Sequence, residues 1–109
     1  MKTHVNLIVL LIVINFNTIA QWLHQNSGTT EKFMTSCFLD QNLGWAAGNN
    51  GTVVKTTDGG DTWISQSINT GDIIHSIYFN NSLLGWAALY EFTPFRHGSV
   101  MHTTDGGET

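Results

Sequence analysis

Three observations predict an all-β fold built from repeated four-stranded units. First, the stretch Thr56-Thr57-Asp58-Gly59-Gly60-Asp61-Thr62-Trp63 returns as Thr103-Thr104-Asp105-Gly106-Gly107-Glu108-Thr109, each time after an apolar run. Second, a shift of 41 residues lays Trp22 on Trp63, Gln25 on Gln66, Phe38 on Phe79, and Leu43-Gly44-Trp45-Ala46-Ala47 on Leu84-Gly85-Trp86-Ala87-Ala88. Third, no helical period of any length follows residue 20, and Gly, Asn, Ser and Thr fill the polar positions. Charged residues are 11% of the chain, against ~25% in an average domain. A unit of ~40–45 residues with about four strands has the size of a propeller blade.

The elements follow in chain order. Residues 1–20 read as a signal peptide. Lys2 supplies a positive start, Val5 to Ile14 is apolar apart from Asn6, and Thr18-Ile19-Ala20 offers small residues for cleavage before Gln21. The apolar run is shorter than the ~18–20 residues that a membrane span needs. Export to the periplasm, the cell surface or the medium is therefore expected, with no membrane span after cleavage. Residues 21–26 match the strand after the Asp-Gly-Gly turn, so they are expected as an outer blade strand.

The first full blade is expected at about 33–66, with strands Phe33 to Leu39, Gly44 to Gly48, Thr52 to Thr57 and Thr62 to Gln66. Asn49-Asn50-Gly51 is a hairpin signal. The second blade is expected at about 73–109, with strands Ile73 to Phe79, Gly85 to Tyr90 and Val100 to Thr104. The two Asp-Gly-Gly turns are 47 residues apart, so this unit holds six more residues, placed between Ala88 and Val100. Trp45 and Trp86 are expected to pack between adjacent blades. Because the units open on an outer strand and stop inside a motif, the 109 residues are expected to be the N-terminal part of a longer propeller.

Asp58, Gly59 and Gly60 are turn residues: Asp hydrogen-bonds downstream amides, and Gly accepts positive φ. Thr56, Asp58, Gly60, Thr62 and Trp63 match the Ser/Thr-x-Asp-x-Gly-x-Thr-Trp pattern of the Asp-box, or BNR repeat. Thr103, Asp105, Gly107 and Thr109 repeat it. Together with Gly44-Trp45-Ala46-Ala47-Gly48 and Gly51, the chain most resembles the photosystem II stability/assembly factor family of β-propellers. That resemblance implies a non-enzymatic scaffold that binds a protein, peptide or glycan through blade loops. In photosynthetic relatives the family assists assembly of a membrane complex. It implies structural Asp-boxes, no catalytic or metal residues and no cofactor.

Composition narrows the alternatives. Without Lys2, three cations (Lys32, Lys55, Arg96) face eight carboxylates, a balance of −5 with His neutral. Nucleic-acid binding needs a basic patch, which three cations do not build. Asp-boxes also occur in sialidases, but that chemistry implies an arginine triad, and this chain has one Arg. Glycoside hydrolysis of another kind needs two facing carboxylates; only Glu91 lies outside turns and Asp-boxes in a candidate loop, so a propeller hydrolase stands as the alternative. A surface adhesin module is a second one. His75, His97 and His102 lack the paired short spacing of a zinc site. The insertion gathers Tyr90, Phe92, Phe95, Arg96 and His97, the composition of interface hot spots, and is the candidate partner-binding loop. Packing of its aromatics onto its own blade is the competing expectation. Cys37, alone and in an apolar run, is expected to be buried.

Overall fold

The computed structural model describes residues 21–91, 94 and 97–108; the expected signal peptide lies outside them. It contains seven strands: β1 (Phe33–Phe38), β2 (Gly44–Gly48), β3 (Val53–Thr56), β4 (Ile64–Ser65), β5 (Ile73–Phe79), β6 (Gly85–Tyr90) and β7 (Gly98–Thr103). They form two antiparallel sheets, β1-β2-β3-β4 and β5-β6-β7. Every connection within a sheet is a hairpin or short loop, so each sheet is a meander, one blade of the predicted kind.

Side-chain alternation explains how the blades meet. Residues paired across an antiparallel ladder point to the same face. Cys37, Trp45 and Lys55 form one such row, and Thr35, Ala47 and Val53 the next. Both rows face the second blade, which answers with Ile74, Ile77, Phe79, Ala87 and Leu89. These apolar residues and Trp45, Ala47 and Val53 form one buried cluster. Trp45 is fully buried, and its ring lies parallel to that of Phe79 with centroids 3.6 Å apart. Its indole Nε1 donates to the Gly106 carbonyl at 3.1 Å, tying the first blade to the turn of the second. Lys55 Nζ stands 5.5 Å from the same ring. Cys37 is half-buried and packs on the edge of this cluster.

Glycine marks a place where backbones nearly touch. A Cβ on Gly48 would fall 1.9 Å from the Lys32 carbonyl oxygen, and the neighbouring Asn49 amide donates to that oxygen at 2.9 Å. The Asn49–Gly51 turn closes the β2–β3 hairpin as a single 3-10 turn, with Asn50 at φ 53° and Gly51 at 62°. Gly51 also donates to the Asp72 carbonyl and accepts from the Ile68 amide. The connection between blades is thereby fastened to this turn.

Two expectations are corrected. Residues 21–26 form no strand. Strand β4 pairs with Val54 and Lys55, and among the described residues no strand pairs with this segment. Trp86 is not enclosed between blades but 39% exposed, because no third sheet stands against it among the described residues. Smaller shifts lie at strand ends: β4 keeps two residues, and β7 begins at Gly98, two residues before the expected start.

Candidate functional site

Each Asp-box is a turn closed by its own side chains. Gly60 and its counterpart Gly107 sit at φ 96° and 93°, a region costly for residues with a Cβ. Thr56 Oγ1 donates to Asp58 Oδ1 at 2.8 Å and accepts from the Gly60 amide at 2.8 Å. Asp58 Oδ1 also accepts from the Thr62 amide at 2.9 Å, and Oδ2 from the Thr62 hydroxyl. The Thr62 hydroxyl first, then the Thr62 amide and the Thr56 hydroxyl, hold the Asp58 carboxyl below its usual range, since each donor favours the charged form. Trp63 meets Phe38 edge-on, with centroids 6.1 Å apart.

The second box repeats the arrangement. Thr103 Oγ1 donates to Asp105 Oδ1 at 2.7 Å and accepts from the Gly107 amide at 3.0 Å; Thr109 lies outside the described residues. Each box then docks on the loop joining the first two strands of its blade. The Gly59 amide donates to the Asn42 carbonyl and the Gly106 amide to the Leu83 carbonyl, both at 2.9 Å. Those loops are Asx turns: Asp40 Oδ1 accepts from the Asn42 and Leu43 amides, and Asn81 Oδ1 from the Leu83 and Leu84 amides. The two amides hold the Asp40 carboxyl below its usual range. All these side chains serve the turns at one end of the blades.

The insertion stands at the opposite end, on the β6–β7 hairpin. Tyr90 pairs with Gly98 in the last rung of the ladder, and the Glu91 amide donates to the His97 carbonyl at 3.0 Å. The Tyr90 ring stands edge-on to His75, centroids 6.1 Å apart. His97 and Pro94 are exposed. Phe92, Phe95 and Arg96, the other members of the candidate partner-binding loop, lie outside the described residues. Tyr90 therefore has an intrablade partner, while His97 faces solvent.

Sequence reasoning missed a cavity of about 240 Å³ in the wedge between the blades. Val53 and Ile68 of the first blade and Ile77, Phe79, Ala87 and Met101 of the second line it, with Gln66, Ser67, Asn69 and Glu108 adding polar groups. Gln66 Oε1 is buried there without a hydrogen-bond partner and lies 2.9 Å from where a Cβ of Gly107 would stand. Gln25 stands in the same relation to Gly60 of the first box, at 1.9 Å. The only sequence signal for this contact was the 41-residue match of Gln25 with Gln66. Among the described residues no group of three or more His, Cys, Asp or Glu could hold a metal ion. Glu108 is the one carboxylate lining the cavity.

Repeated antiparallel meanders, each closed by an Asp-box and stacked face to face around a tryptophan, define an Asp-box β-propeller. The model of the family described as photosynthesis system II assembly factor YCF48 matches residues 14–109. The chain belongs to this family. A solved structure titled YCF48 bound to D1 peptide is similar, with a TM-score of 0.58 and 29% identity over 74% of this chain. The match spans 26% of that structure's chain, so about a quarter of such a propeller is in view here. The search of curated proteins found no match.

Proposed function

We propose that this chain is the exported, non-enzymatic binding part of a propeller scaffold, which holds a protein or peptide segment through loops at the end of the blades opposite the Asp-boxes. The observation that carries this reading is the similarity to a YCF48 structure that is itself bound to a peptide. Two features of the site support it. The Asp58 carboxylate is occupied by three hydrogen-bond donors within its own hairpin, which suits a structural clasp better than proton transfer. The connection between β6 and β7 departs from the repeat by an insertion whose sequence holds aromatic residues and one arginine, groups that dominate interface energies.

The test is binding of fluorescent D1 peptide to the 109-residue chain, read by polarisation, beside a glycan array and a panel of chromogenic glycosides. Saturable peptide binding is expected, weakened by Phe95→Ala and Arg96→Ala at unchanged Tm. Turnover of any glycoside, or glycan binding without peptide binding, would overturn the reading. Export is tested separately: the N-terminus of the protein secreted by its natural host should be Gln21.

A further inference from the structure

Asn50-Gly51 is the one place in the sequence where asparagine precedes glycine, and the folded turn holds the pair apart. Glycine leaves its peptide nitrogen unshielded by a side chain, so in an open chain that nitrogen reaches the preceding asparagine side chain readily. Asn50 is exposed and is the only non-glycine at positive φ among the described residues, with φ 53° and ψ 36°. At this ψ the Gly51 nitrogen lies on the side of the backbone away from the Asn50 Cβ. The Gly51 N–H is also engaged, donating to the Asp72 carbonyl at 2.8 Å. The Asn50 side chain turns elsewhere, and its Nδ2 donates to Glu31 Oε1 at 3.1 Å.

What holds Gly51 is the connection between the two blades. Its carbonyl accepts from the Ile68 amide at 2.8 Å, and the Thr70 amide donates to the Ile68 carbonyl at 2.8 Å. Thr70 Oγ1 donates to Asp72 Oδ2 at 2.7 Å and so braces the far end of the connection. A Cβ on Gly51 would fall 2.5 Å from the Ile68 carbonyl oxygen, so turn and connection are in direct contact. Every group in this clasp lies between residues 31 and 72, within the first blade and its link to the second, and none depends on a further blade.

We propose that Asn50 is a deamidation site that the blade connection keeps closed. When the connection lifts from the turn, the Asn50 backbone and the Gly51 amide are released together. The Gly51 nitrogen then attacks Asn50 Cγ: the N–Cγ bond forms, the Cγ–Nδ2 bond breaks, and ammonia leaves with the amide proton. Water opens the resulting succinimide at either carbonyl, giving aspartate or, with the chain rerouted through the side chain, isoaspartate. Either product puts a carboxylate where Nδ2 met Glu31, a like-charge contact in place of a hydrogen bond. Isoaspartate also adds a carbon to the backbone before Gly51, displacing the amide and carbonyl that grip the connection. A local opening thereby becomes irreversible. Asp58-Gly59 has the same glycine follower, but the Asp58 carboxylate is ionised and held by Thr56 and Thr62, a poorer electrophile than an amide.

The test incubates the 109-residue chain in mildly alkaline buffer, without urea and in urea above its unfolding transition, with circular dichroism as the check on folding. Tryptic cleavage after Lys32 and Lys55 isolates residues 33–55, in which Asn42 and Asn49 serve as internal references. In urea, mass spectrometry should find the gain of one mass unit at Asn50 first, in two chromatographic peaks. In the folded chain the rate should be lower by at least about tenfold, because it is set by the fraction of time the turn is open. Asp72→Ala and Thr70→Ala each remove the brace of the connection and should raise the folded-state rate while the strands remain. Asn50→Asp should lower Tm, and adding Glu31→Gln should recover part of the loss. Equal rates with and without urea, faster loss at Asn42 or Asn49 in urea, a folded-state rate indifferent to both brace substitutions, or an unchanged Tm in Asn50→Asp would each overturn the proposal.

Discussion

At the scale of single residues, most of the polar chemistry of this chain is spent on turns. Asp58 and Asp40 accept from neighbouring amides and hydroxyls, and both carboxyls lie below their usual range. A carboxyl depressed in the folded state stabilises the fold above its unfolded pKa of about 4, and that contribution disappears as pH falls through the lower folded value. Asp58→Asn should therefore lower Tm at neutral pH and leave it less sensitive to acid below about pH 4. Thermal melts of both proteins at several pH values check this. Gly60 is constrained by φ 96°; the Gln25 side chain, whose Oε1 lies 1.9 Å from a would-be Cβ, can swing aside. Gly60→Ala should cost more than about 1 kcal/mol, measurable in urea titration.

Among the elements, the two hairpins β2–β3 and β6–β7 are the same structure with different ends. The first turns over Asn49–Gly51. The second extends its ladder to Tyr90 and Gly98. The ladder from Gly85 to Tyr90 is complete without the longer end, so its removal is expected to leave the blade folded. Replacing residues 91–97 with Asn-Asn-Gly should leave far-UV circular dichroism and Tm nearly unchanged while abolishing peptide binding. A large fall in Tm would mean that the loop's aromatics pack on their own blade.

For the whole molecule, stability resides between the sheets rather than within them. Either sheet without its neighbour would bare apolar side chains, Trp45, Ala47 and Val53 on the first and Ile74, Ile77 and Phe79 on the second. Repeat proteins depend on such nearest-neighbour interfaces. Phe79→Ala removes the ring stacked on Trp45 and should cost about 3–5 kcal/mol. Both blades should then unfold at lower urea in one transition, followed by tryptophan fluorescence.

Strand positions, hairpin turns and the Asp-box were legible in the residues because each depends on near neighbours in sequence. Alternation sets strands, Asn-Gly and Asp-Gly-Gly set turns, and the 41- and 47-residue shifts set the size of the blade. The family was legible for the same reason. Three matters were decided only by the tertiary structure. Residues 21–26 have a strand's sequence but no strand, because a β-strand needs hydrogen bonds from a partner. Trp45 and Trp86 sit in equivalent sequences, yet one is enclosed and the other 39% exposed, because burial depends on what packs opposite. The wedge cavity and the Gln66–Gly107 contact arise from how two twisted sheets stack. Local pattern specifies which face of a blade is apolar; only the packed molecule decides what covers it.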